Sequence, residues 1–436
     1  MTDRLDDIDC VSARGHAALG GTLAIQAVWH YDRAVDTATL TRFHAALCAG
    51  KLARTVAHSI IPAAGDRWSA RTRFAPLRTT TTPLPAADLE AWILEQARAP
   101  LQTFGGPTWR LSSANFDDGR SAVSLLVSHT VTDGGALCAA IAAAVADERV
   151  QLRFPSDEYG PFRLVCSDIR ATARRGTRLW LAAILAVRLL LHAPRRRTAR
   201  HDVEPDRGAG VPTIAATIPA PQWHEAAQTR NGTAATLAVA VLASIATEIG
   251  RVNEHDRVEM MMPVATRAAD DARANALTSI DFEIARTDEL STDLSALRAA
   301  IKAKLTAAGA GANAVPPLIP VAVALPRSLH GMLARQVAAD PVRTVCSYLG
   351  ELDPQVLRID GAPATAIMLG LVDQSLDSRR VLAERGGTLY ALFNASVGSI
   401  TLRINGFQAP ALTDTDQLAD VVSRVLARYG LSATFW

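Results

Sequence analysis

Leu125-Leu126-Val127-Ser128-His129-Thr130-Val131-Thr132-Asp133-Gly134-Gly135 is an apolar run that delivers a histidine and then breaks on two glycines. Ser121 to Ser128 has the length and apolar density of a strand, Gly134-Gly135 marks a tight turn, and Ala136 to Val150 carries Leu137, Ile141 and Val145 at helical spacing. His129 is therefore expected at a strand end, at the mouth of whatever the strand and helix enclose. Imidazole titrates near neutrality, so one held there can take a proton from a hydroxyl or an amine. The competing role for a lone histidine after an apolar strand is a hydrogen-bonded structural residue.

The spacing and flanks carry a resemblance. His129-Thr130-Val131-Thr132-Asp133-Gly134 resembles the HHxxxDG motif of the chloramphenicol acetyltransferase-like superfamily, which includes CoA-dependent acyltransferases and peptide-synthetase condensation domains; Ser128 stands where the motif has its first histidine. Upstream, Gly106-Pro107-Thr108-Trp109, a strand, the turn Asp117–Arg120 and a second strand into His129 are similar to the order found in bacterial wax ester synthase/diacylglycerol acyltransferases. Downstream, Asn231-Gly232 resembles that branch's Asn-Asp motif, Met262-Pro263-Val264-Ala265-Thr266-Arg267 and then Asn275-Ala276 resemble its strand end with arginine and following Asn, and Val345–Gly350 stands where related transferases carry Ser-Asn, with Tyr348 for Asn.

The resemblance implies an α/β fold of two chloramphenicol acetyltransferase-like domains, each a mostly antiparallel or mixed sheet flanked by helices, with the active site in a tunnel between them. It implies His129 as general base, Asp133 as a structural residue tied to a distant arginine, and Gly134 as the residue that lets the backbone turn. On this basis Asp133 pairs with Arg267 and shapes the turn that aims His129; the alternative is that Asp133 caps the following helix while Arg267 lies at the surface. Ser347 and Tyr348 are candidates for oxyanion or substrate contact, with packing in the core as the other role for Tyr348.

Length points to two domains. The polar, Pro- and Gly-bearing stretch Arg200–Pro212 divides the chain into an N-terminal domain over 1–200, a linker over 201–212 and a C-terminal domain over 213–436. With 49% apolar and 20% charged residues and a net charge of +2, the composition is that of a globular protein with no electrostatic footprint for nucleic acid. Five cysteines without a CxxC pair point to a reduced, cytoplasmic setting, and the N-terminal 21 residues lack the apolar core of a secretion signal.

Outside the motif, strands are expected at 22–31, 59–61, 68–74, 213–218, 258–263, 278–285, 342–348, 365–371, 388–394 and 399–404. Helices are expected at 36–49, 88–98, 168–200, 234–250, 293–307 and 414–429, with a loop from Gly309 to Pro320.

No GxSxG elbow, phosphate loop or clustered metal ligands stand in the sequence, and His44, His58, His192 and His201 read as surface or cap residues. Direct acyl transfer needs none of these, because a thioester is already activated. The resemblance to the wax ester synthase/diacylglycerol acyltransferase branch implies transfer of an acyl group from acyl-CoA to a hydroxyl acceptor of lipid character, with no bound cofactor. The alternatives are a stand-alone condensation-type enzyme whose donor rides on a carrier protein, and an inactive scaffold of the same fold. Residues 178–200, apolar with Arg195, Arg196, Arg197 and Arg200 at the end, are expected to give peripheral contact with a membrane or lipid surface; burial between domains is the competing role.

Overall fold

Every residue of the strand Ser121–Ser128 is buried, because the strand lies inside a sheet covered on both faces. The computed structural model describes residues 3–150, 152–176, 178–191, 210–268, 271, 273–285, 287–311, 318–337, 343–376 and 378–436. Ser121–Ser128 pairs with Leu23–Tyr31 on one side and Trp109–Asn115 on the other, both antiparallel. This first sheet has the strand order Ala366–Asp373, Leu23–Tyr31, Ser121–Ser128, Trp109–Asn115, Arg78–Thr79. One of its edge strands thus comes from the far end of the chain: Gln26 has Leu126 as partner on one side and Gly370 on the other.

The second sheet runs Thr434–Phe435, Thr213–Pro219, Ser399–Phe407, Thr388–Ser396, Thr344–Glu351, Val258–Ala265, Leu277–Ile284. It is mixed: Thr344–Glu351 lies parallel to both of its neighbours, and the remaining pairs are antiparallel. The architecture is the expected two-lobed α/β one.

Each sheet has its own core. Helices Thr37–Cys48 and Gly134–Val145 bring Leu40, Phe43, Leu137 and Ile141 onto Ile25, Trp29, Leu125 and Val127. Helix Ala234–Glu248 lies against the second sheet and is buried from Thr236 to Ala246, roughly 1.5–3 kcal/mol for each large apolar side chain withdrawn from water. Caps fix where the helices begin: Asp36 accepts from the N–H groups of Ala38 and Thr39, Asp414 from that of Gln417, and Thr233 with Thr236 forms a capping box.

Several local expectations are corrected. Gly134-Gly135 is the first turn of its helix, begun by Asp133, and the helix ends at Val145. Thr55–Ala57, pairing with Arg67–Ser69, is the strand; Ser59–Ile61 leads into the 3-10 turn Pro62–Ala64. Helix Ser295–Gly311 continues through Gly309, and Ile319–Val323 forms a short helix, so the expected loop is largely helical at its two ends. Residues 168–191 form parts of two helices, Pro161–Ala173 and Arg178–Leu191. The arginine cluster at 195–200 and residues 201–209 of the linker lie outside the described residues.

The N-terminal segment also forms a helix, Asp7–Ala18, which has no place in the sequence reading. Its buried face is partly polar: Arg14 Nε meets Asp66 Oδ2 at 2.7 Å with both side chains enclosed, and Asp9 is only 7% exposed. A helix that turns charged groups inward gives little apolar periodicity to read.

Candidate active site

His129 follows directly on the buried strand, and its backbone is held from several directions. Its N–H donates to Leu23 O at 2.8 Å, continuing the ladder one residue past the strand. Its carbonyl accepts from Asn275 Nδ2 at 2.9 Å, and the other hydrogen of that amide goes to Asp9 Oδ1 at 2.8 Å. Two residues on, Val131 O accepts from Arg54 Nη2 at 2.7 Å and Nε at 3.1 Å, the guanidinium lying 4.7 Å from the Trp68 ring centre. The segment between strand and helix is thus clamped by the N-terminal helix, Arg54 and the 267–276 loop.

Asp133 completes the clamp. Its Oδ1 accepts from Ala136 N at 2.7 Å, capping the helix, and its Oδ2 accepts from Arg267 Nη2 at 2.5 Å and Ala276 N at 2.9 Å. Asp133 N in turn donates to Ala274 O at 3.1 Å. Both roles weighed for this aspartate are present together, one on each oxygen. Arg267 is anchored further by carbonyls of its own loop, Asp271, Arg273 and Ala274, at 3.0 to 3.1 Å. Gly134 has a packing reason to be glycine: a Cβ there would lie 3.0 Å from Leu349 Cδ2 on the strand Thr344–Glu351.

The imidazole of His129 is half-buried, and burial holds its pKa below the ordinary value; its own backbone, the Asp133 charge and the Asn275 amide pull partly the other way. A second imidazole, His16 on the N-terminal helix, lies close enough for its charge to push His129 lower still. His129 is therefore neutral at neutral pH, the state that accepts a proton. Asp9 moves oppositely: burial raises its carboxyl to about 7, against the hydrogen bond from Asn275.

The two neighbours on strand Thr344–Glu351 point to different places. Tyr348 packs with Cys346 on the core of the second sheet, and burial raises its phenol. Ser347 and Leu349 lie on the other face, where Leu349 meets Gly134 and the Ser347 hydroxyl is hydrogen-bonded to Tyr390. Ser128, in the place of the motif's first histidine, is fully buried with Oγ 3.1 Å from Thr103 Oγ1.

Asn231 and Gly232 serve the turn before helix Ala234–Glu248. Asn231 has φ of 58° and donates to Asp293 Oδ1 at 3.1 Å, and a Cβ on Gly232 would come within 2.6 Å of Leu294 Cδ1. His44 is half-buried, bonding Ala75 O at 2.9 Å and standing edge-on to Trp109, whereas His58 is at the surface as expected, stacked on Phe104. His192 and His201 lie outside the described residues. Among the described residues no group of three or more His, Cys, Asp or Glu side chains is arranged to hold a metal, and no helix is long and apolar enough to cross a membrane.

Sequence reasoning missed Asp9, His16 and the bond from Asn275 to the His129 carbonyl. Asn275 alone had a signal, as the asparagine following the arginine of the downstream motif.

No family model matches the chain, and no curated relative does. Solved structures do. The first condensation domain of the calcium-dependent antibiotic synthetase, in complex with a substrate analogue, has 13% identity and a TM-score of 0.56, with 98% of this chain and 95% of that one covered. The condensation domain from the monacolin K polyketide synthase MokA has 9% identity and a TM-score of 0.54 over 98% and 96% of the two chains. Polyketide synthase associated protein 5 from Mycobacterium tuberculosis has 13% identity and a TM-score of 0.53 over 98% of each. With near-complete coverage of both chains at these TM-scores, this chain has the two-lobed α/β fold of condensation domains.

Proposed function

We propose that this protein is a condensation-type acyltransferase, taking its acyl group as a thioester on a carrier protein and passing it directly to a hydroxyl or amine. The observation that carries this reading is the placement of the His129 imidazole at a strand end by the Asn275 and Asp133–Arg267 clamps. His129 accepts the proton of the acceptor as its oxygen or nitrogen attacks the thioester carbonyl. The tetrahedral oxyanion collapses, the C–S bond breaks, and the thiolate takes the proton back from the imidazolium, so no acyl-enzyme forms.

The N–H groups at the start of helix Gly134–Val145 and the Ser347 hydroxyl are the oxyanion donors of this scheme; Ser347 is preferred to Tyr348, which packs on the second core. Asp133, Gly134 and Arg267 act by positioning. The test is thiol release with an acyl group on a phosphopantetheinyl carrier domain, beside the same acyl group on free CoA, against a panel of alcohols and amines. Turnover is expected from the carrier. His129→Ala is expected to stay folded and lose about 100- to 10,000-fold; a near wild-type rate rules out the base assignment.

A second reading, transfer from free acyl-CoA to a lipidic alcohol at a membrane surface, is favoured by one observation. Helix Arg178–Leu191 packs Ala182, Leu185 and Ala186 against helix Ile319–Val323 and leaves Trp180, Leu181, Ile184 and Val187 exposed. Such an apolar face suits a lipid interface. Flotation with anionic liposomes decides between the readings: wild type co-floats on the second and stays behind on the first.

A further inference from the structure

Arg403 is a buried cation that the acyl-transfer scheme does not use. It is 2% exposed, on the strand Ser399–Phe407, and it faces the first sheet rather than the core of its own. Gly370 makes room for it, since a Cβ there would lie 2.1 Å from Arg403 Cδ. The guanidinium reaches Gln26 on the far side of that edge strand, Nη1 donating to Oε1 at 2.5 Å, and Gln26 is itself fixed by donating to Ile93 O and Ser124 Oγ, both at 2.9 Å.

The opposite edge of the guanidinium is unmatched. Nε is buried with no hydrogen-bond partner among the described residues, and the ionisable group whose charge bears on Arg403, Tyr390, is kept neutral by burial. A charge enclosed without a counter-ion costs several kcal/mol, and Nε with Nη2 forms the edge along which a guanidinium takes a carboxylate by two parallel hydrogen bonds.

Arg403 lines a cavity of about 250 Å³ between helix Leu89–Ala97, the edge strand Ala366–Asp373 and the second sheet. Leu94, Leu371 and Leu376 give it an apolar wall, and Arg98 adds a second cation. Asp373, also in the lining, is occupied elsewhere: it accepts from Ser375 N and Oγ and lies 3.9 Å from Arg385 Nη1. The volume equals roughly eight waters at about 30 Å³ each, the size of a short organic acid rather than of a coenzyme. None of the lining residues belongs to the His129 cluster.

We propose that this cavity is a second binding site, which takes a small monoanionic carboxylate with its charged head on Arg403 and its apolar tail against Leu94, Leu371 and Leu376. The site is independent of acyl transfer at His129.

Titration calorimetry on the full chain tests it, with hexanoate as probe and hexanamide as its uncharged isostere. Hexanoate is expected to bind saturably at one site and hexanamide about tenfold more weakly or worse, the effect of losing a charge-assisted hydrogen bond. Arg403→Gln is expected to weaken hexanoate by a similar factor, and Leu376→Trp, which fills the cavity without touching the guanidinium, to abolish binding should Arg403→Gln fail to fold. His129→Ala is expected to bind hexanoate as wild type does. Absence of saturable binding, equal affinity for the amide, equal displacement by inorganic phosphate, or loss of binding in His129→Ala would each overturn the proposal.

Discussion

Removing the Asp133 carboxylate takes three hydrogen bonds at once, and their magnitudes can be worked from the geometry. The cap on Ala136 N is worth about 1 kcal/mol. The Ala276 N–H, left without its acceptor in a buried position, costs about 1–3 kcal/mol. The ion pair lies between extremes: Asp133 is 3% exposed and Arg267 22%, so its loss falls below the roughly 3–5 kcal/mol of a fully buried pair and above the roughly 0–1 kcal/mol of a surface one. Asp133→Ala is therefore expected to destabilise the fold by about 4 kcal/mol in all. Arg267→Ala spares the cap and the Ala276 bond but releases three loop carbonyls, and is expected to cost about 2–3 kcal/mol. Because the pair is counted in both single changes, the double variant should lose only about 5 kcal/mol, a coupling of about 1–2 kcal/mol. Urea unfolding of the four proteins under one buffer measures it. Losses that add to within about 0.5 kcal/mol would refute the claim that Asp133 and Arg267 work as a unit.

The kcat/KM for thiol release should be flat above neutrality and fall as pH drops through an apparent pKa below the ordinary imidazole value of about 6.5, because burial disfavours the imidazolium of His129; a midpoint above that value contradicts the assignment. Asn275→Ala frees the His129 carbonyl, so kcat should fall about 10- to 100-fold with KM little changed, and an intact kcat would remove Asn275 from the positioning scheme. Asp9, whose carboxyl is raised to about 7, favours the folded state fully only below its unfolded pKa near 3.8, and that contribution is lost as pH rises to 7. Asp9→Asn should therefore gain stability relative to wild type between pH 5 and pH 8, on the order of 2 kcal/mol by urea unfolding; a constant difference across that window counts against the buried charge.

What could be read from the sequence was what local pattern encodes. The strand into His129, the helix begun by Asp133 and the helices capped by Asp36 and Asp414 follow from apolar spacing and cap chemistry over a few residues, and the structure has them within a few positions. Asp133–Arg267 came from a motif, and the contact spans 134 positions that no local rule connects. Where buried faces are polar the pattern fails: Asp9 and Arg14 hide the N-terminal helix, and Arg403 looks like any charge on a strand until Gly370 and Gln26 stand opposite it. Ser347 and Tyr348 could not be ranked because alternation along a strand does not say which face meets the other lobe.

The edge strand Ala366–Asp373 has a consequence for how the chain is made. Its partner Leu23–Tyr31 leaves the ribosome early and then waits, its outer row of N–H and C=O groups unpaired, until some 340 residues more have been synthesised. Even after Ser128 has emerged and paired, residue 373 lags by roughly 10–50 s at about 5–20 residues per second. The first sheet is therefore begun early but closed only late in translation, and for that interval its open edge invites pairing with another nascent chain. The turn carrying His129 is completed late for the same reason: Arg267, Asn275 and Ala276 must all arrive before it is held. An N-terminal fragment made alone would keep both the open edge and the unclamped histidine.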